Sequence, residues 1–174
     1  MVSTHIRPAR LTDLDNLADL EVQAGQLFHS VAMPEVAEAV PDREALWRSQ
    51  GQGLIWVAEE QGEIAAYIVA AVLDGNAHIG QVSVAPAFAR RGIGHLLISH
   101  VEDWGRGNSR PATTLTTFRD VPWNGPYYET LGYQELSGSE IGSEDSAEMR
   151  HEASLPGIDA SRRCAMIKAN GGAS

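Results

Sequence analysis

The sequence predicts an α/β domain built around one strand that runs through a loop into a helix. Three observations carry this. Residues 54–84 read as three strands separated by two turns. Apolar residues then recur at Ile93, Leu96, Leu97, Val101 and Trp104, one face of a helix with the 3.6-residue period. The threonine-rich, β-branched run Ala112–Phe118 follows, so strand, helix and strand make a parallel βαβ unit. At 174 residues the chain is long enough to bury a sizeable core. One domain is expected over residues 1–168, with a disordered tail over 169–174.

Taken in order, His5–Arg7 is a short strand ending at Pro8. Thr12 is the expected N-cap of a first helix, with Asp13 and Asp15 in its first turn and a stripe of Leu14, Leu17, Ala18, Val22 and Gly25. Val31–Gln50 is punctuated by Pro34 and Pro41. A helix over Asp42–Gln50 should pack Leu46 and Trp47 inward. Leu54–Glu60 and Glu63–Leu73 are strands around a Gln61-Gly62 hairpin turn, and Asp74-Gly75-Asn76 turns the chain into Ala77–Val84. Gly105 and Gly107 end the central helix. Asn124 and Pro126 open a short helix that Gly132 closes, and Tyr133–Leu136 is a strand. Ser137–Ser143 is flexible by composition, Asp145–Ser154 forms a helix, and Arg162–Lys168 is the last strand.

The joint Arg90-Arg91-Gly92-Ile93-Gly94-His95 concentrates the chemistry. The first amides of a helix lack intrahelical partners and carry the positive end of its dipole. Gly92 and Gly94 let a bulky anion approach the backbone, and Arg90 and Arg91 add charge. Evenly spread, the 23 acidic residues of the chain would place about 3.6 in Gly75–Val101, and that window contains none. The pattern suits a phosphate cradle. The alternative is a plain strand–turn–helix whose glycines relieve crowding and whose arginines are solvated. Neither stock phosphate loop fits: a dinucleotide fingerprint needs glycine where Leu97 stands, and no Gly-Lys-Ser/Thr run exists.

The order strand, Val84-x-Pro86, Arg90-Arg91-Gly92-Ile93-Gly94, helix, strand, then Tyr127-Tyr128-Glu129-Thr130-Leu131-Gly132-Tyr133 resembles the GNAT superfamily of acetyl-CoA-dependent N-acetyltransferases. The resemblance extends from Ile6 to about Met166. Aligned on Gly92 and Gly94, the first position of the family's Gln/Arg-x-x-Gly-x-Gly/Ala loop is Ala89 here, a departure. The resemblance implies a mixed, largely antiparallel central sheet flanked by helices on both faces. It also implies direct transfer of an acetyl group from acetyl-CoA to an amine in a ternary complex.

On that resemblance, amides from Arg90 through Arg91, Gly92, Ile93 and Gly94 to His95 would hold the pyrophosphate of coenzyme A. The backbone of Val82, Ser83 and Val84 would take the pantetheine arm as an added short strand. Tyr128 stands four residues before Gly132, where the family places its general acid, and Tyr127 is a pocket wall or core residue. Asn124 either bonds cofactor or is a plain helix cap. Family members often carry a glutamate on the strand before the loop. Here His78-Ile79-Gly80-Gln81-Val82 has no carboxylate. His78 is a candidate base or an exposed strand residue, and Gln81 could position a water. His29, Glu35 and Glu38 could touch an amine or be solvated surface. A non-catalytic acyl-CoA-binding module of the same fold is the alternative function.

Composition narrows the rest. A net charge of −10 argues against nucleic acid and is compatible with a cationic acceptor, a small-molecule or peptide amine. No apolar run approaches a membrane span and MVSTHIRPAR lacks an apolar signal core, so a cytoplasmic location away from membranes is expected. The single Cys164 reads as a small buried side chain. The histidines show no metal-ligand spacing and no metal is implied. A homodimer is compatible with the resemblance.

Overall fold

A computed structural model describes residues 2–171. Its strands are β1 (Thr4–Pro8), β2 (Ile55–Glu60), β3 (Glu63–Leu73), β4 (Asn76–Val84), β5 (Ala112–Phe118), β6 (Gln134–Glu135) and β7 (Arg163–Ala169). They hydrogen-bond in the order β1-β2-β3-β4-β5-β7-β6. The β4–β5 pair is parallel, and β1–β2, β2–β3, β5–β7 and β6–β7 are antiparallel. The α-helices among the described residues are α1 (Leu14–Gly25), α2 (Pro34–Ala37), α3 (Arg43–Gly51), α4 (Ile93–Gly107), α5 (Gly125–Thr130) and α6 (Ser143–Ala153). This is the mixed, largely antiparallel α/β fold that the sequence predicts. Its residues fall into two compact units, 1–71 with 80–100, and 72–79 with 101–174.

In the first unit, β1, β2 and β3 form a meander whose Gln61-Gly62 turn has φ +53° and +82°, the left-handed pair of a two-residue hairpin. Leu17, Ala18 and Leu20 of α1 pack with Ala9, Leu46, Ile55, Val57 and Tyr67. Each leucine so buried contributes about 2 kcal/mol. The buried face of α1 differs from the expected stripe: Leu20 is inside and Val22 is 43% exposed. The N-cap differs too. A 3₁₀ turn over Leu11–Asp13 precedes α1, and the Asp13 carboxylate accepts from the Arg10 amide at 2.7 Å, so Thr12 caps nothing. Asp42 caps α3 by accepting from the Ala45 amide at 3.0 Å. Leu46 is buried as expected, but Trp47 is 60% exposed, because one turn of α3 cannot turn neighbouring positions to the same side. On α4, Ile93, Leu97 and Val101 of the predicted face are buried, Ile98 joins them, and Leu96 departs from it at 47% exposed.

In the second unit, β7 pairs with β5 over its whole length, from Ala112↔Ala169 to Phe118↔Arg163, and with β6 on its other edge. The parallel register of β4 with β5 covers Ala77–Ile79. Gly105 lies inside α4 rather than ending it. An added Cβ there would stand 2.9 Å from Asn170 Nδ2 and 3.0 Å from Ala77 Cβ, so close approach demands the glycine. Asn170 itself is buried. It accepts from Thr113 Oγ1 at 2.6 Å and donates to the Arg110 carbonyl at 3.0 Å. Order therefore continues past the expected start of the tail at 169, because a buried threonine needs this partner; Gly172–Ser174 lie outside the described residues. The stretch expected to be flexible contains a 3₁₀ turn over Gly138–Glu140, closed by Glu140 accepting from the Ser137 amide at 3.0 Å. Cys164 is buried, and burial pushes its thiol up to about 11.

Candidate functional site

The loop between β4 and α4 is built by backbone conformation. A 3₁₀ turn over Pro86–Phe88 leads to Ala89, then Arg90 at φ +62° and Gly92 at φ +76° turn the chain into α4. A Cβ on Gly92 would meet nothing within 4 Å, so it is the left-handed φ and not crowding that favours glycine here. On Gly94 it would stand 3.5 Å from Val84 Cγ2 and 3.9 Å from Val82 Cγ1, so the first turn of α4 lies on the β4 valines. Ile93 is buried, while Arg90, Arg91, Gly92 and His95 are exposed. Arg91 donates to the buried Glu60 carboxylate at 3.1 Å and lies over the Phe88 ring. Thr4 Oγ1 donates to the other Glu60 oxygen at 2.8 Å. The arginine is thus held at the loop by an acid from β2, and Arg90 is exposed beside it.

Val82, Ser83, Val84 and Arg90–His95 belong to the first unit. Side chains alternate along β4. Val82 and Val84 meet α4, while Gln81 and Ser83 point the other way, with Gln81 Nε2 donating to Ser83 Oγ at 3.0 Å. Beside this pair lie Tyr67 of β3 and Glu21 of α1. Tyr67 is fully buried, and its hydroxyl is near Glu21 and Ser83 without a well-directed hydrogen bond to either. Burial raises the pKa of the half-buried Glu21 carboxyl, and the nearby Gln81 amide and Tyr67 hydroxyl offset this only in part. Burial, with the Glu21 charge, likewise raises the pKa of Tyr67.

Sequence reasoning passed over Glu21. The signal was present: residue 21 stands three and four positions after Ala18 and Leu17, on the core stripe of α1, and Val22 does not. A carboxylate on an apolar stripe deserved the weight given to its aliphatic neighbour.

Tyr128 and Asn124 belong to the second unit. Tyr128 is half-buried on α5, edge-on to Tyr127 and Tyr133 with centroids 5.7 Å away in each case. Burial raises its pKa, Tyr127 adds to the rise and the Arg163 charge opposes it. Among the described residues no side chain hydrogen-bonds its hydroxyl. The Tyr133 hydroxyl, by contrast, donates to Glu102 at 3.1 Å. Asn124 occupies the N-cap position of α5 without a side-chain cap. Its Oδ1 instead accepts a long 3.4 Å bond from the Phe118 amide. His78, expected to be either a base or an exposed strand residue, is neither accessible nor exposed. It is 3% exposed, with Nδ1 2.9 Å from Thr114 Oγ1 and 3.2 Å from Asp145 Oδ1. His29 and Glu38 pair with each other at the surface at 2.7 Å. Two surface hollows of about 420 Å³ in the first unit include none of the predicted residues; one is lined by Leu11 and by Trp47 and Arg48 of α3.

Comparison with solved structures agrees with the fold. The ribosomal-protein-S18-alanine N-acetyltransferase of Escherichia coli matches with a TM-score of 0.70 at 17% identity, over 99% of this chain and 97% of that one. N-acetylglutamate synthase from Neisseria gonorrhoeae, complexed with coenzyme A and N-acetyl-glutamate, matches with a TM-score of 0.74 at 16% identity, over 98% of this chain and 36% of that one. The PaiA N-acetyltransferase of Thermoplasma acidophilum, in complex with coenzyme A, matches with a TM-score of 0.70 at 14% identity, over 96% of this chain and 99% of that one. Among the described residues no helix is long and apolar enough to cross a membrane. The family model for the acetyltransferase (GNAT) family matches residues 19–133, well over half of the sequence and both of the motifs above, and this chain belongs to that family.

Proposed function

We propose that the chain transfers an acetyl group from acetyl-CoA to a primary amine by direct attack in a ternary complex. The observation that carries this reading is the acid-free loop Ala89–His95, turned by left-handed Arg90 and Gly92 into the N-terminus of α4, in a chain of the acetyltransferase family. Amides from Arg90 to His95 hold the pyrophosphate, and the Glu60-anchored Arg91 adds charge beside them. The openness around the missing Gly92 side chain fits an anion coming close to the backbone. β4 continues through Gly80–Val84 after its last partner residue on β5, Ile79, and the backbone of Val82–Val84 takes the pantetheine arm as an added strand.

Tyr128 is the general acid. A phenol raised by burial keeps its proton across the physiological range, and one whose hydroxyl has no internal acceptor has that proton to give to the departing thiolate. Asn124, whose side chain does not cap α5, is a cofactor contact on this reading. The single cysteine, Cys164, is unsuited to carry a covalent intermediate, since it is buried with its thiol pushed up to about 11.

Calorimetric titration with acetyl-CoA tests the reading. Micromolar binding is expected in the wild-type protein and at least a 100-fold loss in Gly92→Glu, which sets a carboxylate against the phosphates. Tyr128→Phe should keep that affinity and lower turnover in an amine screen by at least 100-fold. Unchanged turnover in Tyr128→Phe removes the acid from this residue. Binding with no turnover for any amine makes the protein an acyl-CoA-binding module, and no binding at millimolar acetyl-CoA ends both readings.

A further inference from the structure

The chain contains two Asn-Gly pairs, Asn124-Gly125 and Asn170-Gly171, and the fold treats them differently. The Asn170 side chain is buried, with Oδ1 accepting from Thr113 at 2.6 Å and Nδ2 donating to the Arg110 carbonyl at 3.0 Å. Asn124 is half-buried. Among the described residues, the one hydrogen bond of its side chain is the long 3.4 Å bond that Oδ1 accepts from the Phe118 amide. Its backbone, by contrast, is pinned on both sides. The Asn124 amide donates to the Val121 carbonyl at 2.9 Å, and the Asn124 carbonyl accepts from the Tyr128 amide at 3.0 Å. Gly125 is buried so closely that a Cβ on it would stand 2.7 Å from the Arg119 carbonyl oxygen.

The angle at which this backbone is pinned has a chemical meaning. Asn124 has ψ −115°, neither helical nor extended. Around the Cα–C bond of an L-residue, Cβ stands about 120° from the backbone nitrogen, on the negative side. A ψ near that value eclipses Cβ with the nitrogen of the next residue, and −115° comes within about 5° of it. This is the arrangement of a five-membered ring made from Asn124 Cα, Cβ, Cγ and C and the Gly125 nitrogen. Glycine adds no Cβ to hinder the approach. The Gly125 N–H, the first of α5, has no intrahelical acceptor to occupy it. The Phe118 amide donates to Oδ1, the atom on which negative charge grows when a nucleophile adds to Cγ.

We propose that Asn124-Gly125 is a self-modification site, at which the folded chain converts asparagine to aspartate and isoaspartate through a cyclic imide. The Gly125 nitrogen attacks Asn124 Cγ. The N–Cγ bond forms, the bond from Cγ to Nδ2 breaks, and the proton of the Gly125 nitrogen leaves with Nδ2 as ammonia. Water then opens the imide. Opening at the Cγ carbonyl gives aspartate, and opening at the main-chain carbonyl gives isoaspartate. Water is the one co-reactant, so the conversion does not depend on acetyl transfer. Its effect on the site does rest on that reading. A carboxylate replaces the amide at the position assigned to the cofactor, and isoaspartate lengthens the main chain by one carbon shortly before Tyr128.

The test incubates the full chain in mildly alkaline buffer, beside a sample held unfolded in guanidinium, and follows each asparagine by peptide mapping and mass spectrometry. Isoaspartate is told from aspartate by enzymatic methylation of its carboxyl. In the folded protein Asn124 should convert about tenfold faster than Asn170, or more, because its ring-closing geometry is held in place while the Asn170 amide is tied down. In guanidinium both backbones are released, and the two rates should come within about threefold of each other. Asn124→Gln, which would need a larger ring, should leave position 124 intact. An unconverted Asn124 in the folded protein, equal rates at the two pairs, or the same preference in guanidinium overturns the proposal. Acetyl-CoA affinity, titrated in the same samples, should fall as the converted fraction rises. A fresh protein that binds no acetyl-CoA overturns the acetyl-transfer reading and leaves the conversion standing on its mass map.

Discussion

Each unit of the molecule shelters a carboxylate, and the two are treated in opposite ways. In the second unit, Asp145 is 2% exposed in the first turn of α6. His78 Nδ1 stands 3.2 Å from its Oδ1, although Thr114 holds the same nitrogen more closely, at 2.9 Å, and Oδ1 has no well-directed hydrogen bond of its own. In the first unit, Glu21 is less deeply placed, with the uncharged Gln81 and Tyr67 as neighbours and Asp42 acting on it as an acid of like sign. One carboxylate has a partner supplied by the fold. The other has the uncharged Gln81 and Tyr67 beside it. The contrast teaches that a sheltered carboxylate can be met by a histidine in one part of a fold and by uncharged polar neighbours in another.

The comparison can be broken most decisively at His78. His78→Leu should cost about 3 kcal/mol, because it strands a buried carboxylate with no partner. Chemical denaturation measures this, and a loss below about 1 kcal/mol would mean that the His78–Asp145 contact is incidental. Tyr67→Phe is expected to have the opposite sign, leaving stability unchanged or raising it by up to about 1 kcal/mol, since the lost hydroxyl has no partner. A clear destabilisation would show that the hydroxyl is structurally engaged after all.

The smallest effect is the pH dependence of Glu21→Gln. The carboxyl of Glu21 is raised above its unfolded value, so its contribution to stability is fully present below about pH 4.5 and is lost as pH rises through the folded value. Glutamine does not titrate. The variant should therefore melt higher than wild type at neutral pH, and the gap should close as the pH falls toward 4. A gap independent of pH would place its cause in packing rather than charge.

Most of the fold was legible because it is local. Strand alternation, the Gln61-Gly62 and Asp74-Gly75 turns and the period of α4 each need only a short window of sequence. The cradle loop was legible for the same reason. The errors cluster where a distant segment decides. Whether His78 is exposed depends on Asp145 and Thr114, far along the chain, and Gly105 and Asn170 explain each other across more than 60 positions. Glu21 was missed differently: the aliphatic Val22 was given the stripe position that the helical period assigns to its neighbour. Ala89 and the absence of an acid on β4 remain departures from the family pattern.

The turn at Asp74 has a consequence for how the chain comes together. Its carboxylate accepts from the amides of Glu144 at 3.0 Å and Asp145 at 2.9 Å, the first turn of α6. The residue in the N-cap position is Gly142, which has no side chain to offer, and a Cβ there would collide with the Asp74 carboxylate at 2.2 Å. Most helices carry their own cap; this one borrows it from a hairpin made some 70 residues earlier. During synthesis the hairpin emerges first and waits, and α6 gains its full stability only on docking there. A break in the chain at residues 74–75, a natural place to open a circular permutant, would take the cap from a helix far away in sequence.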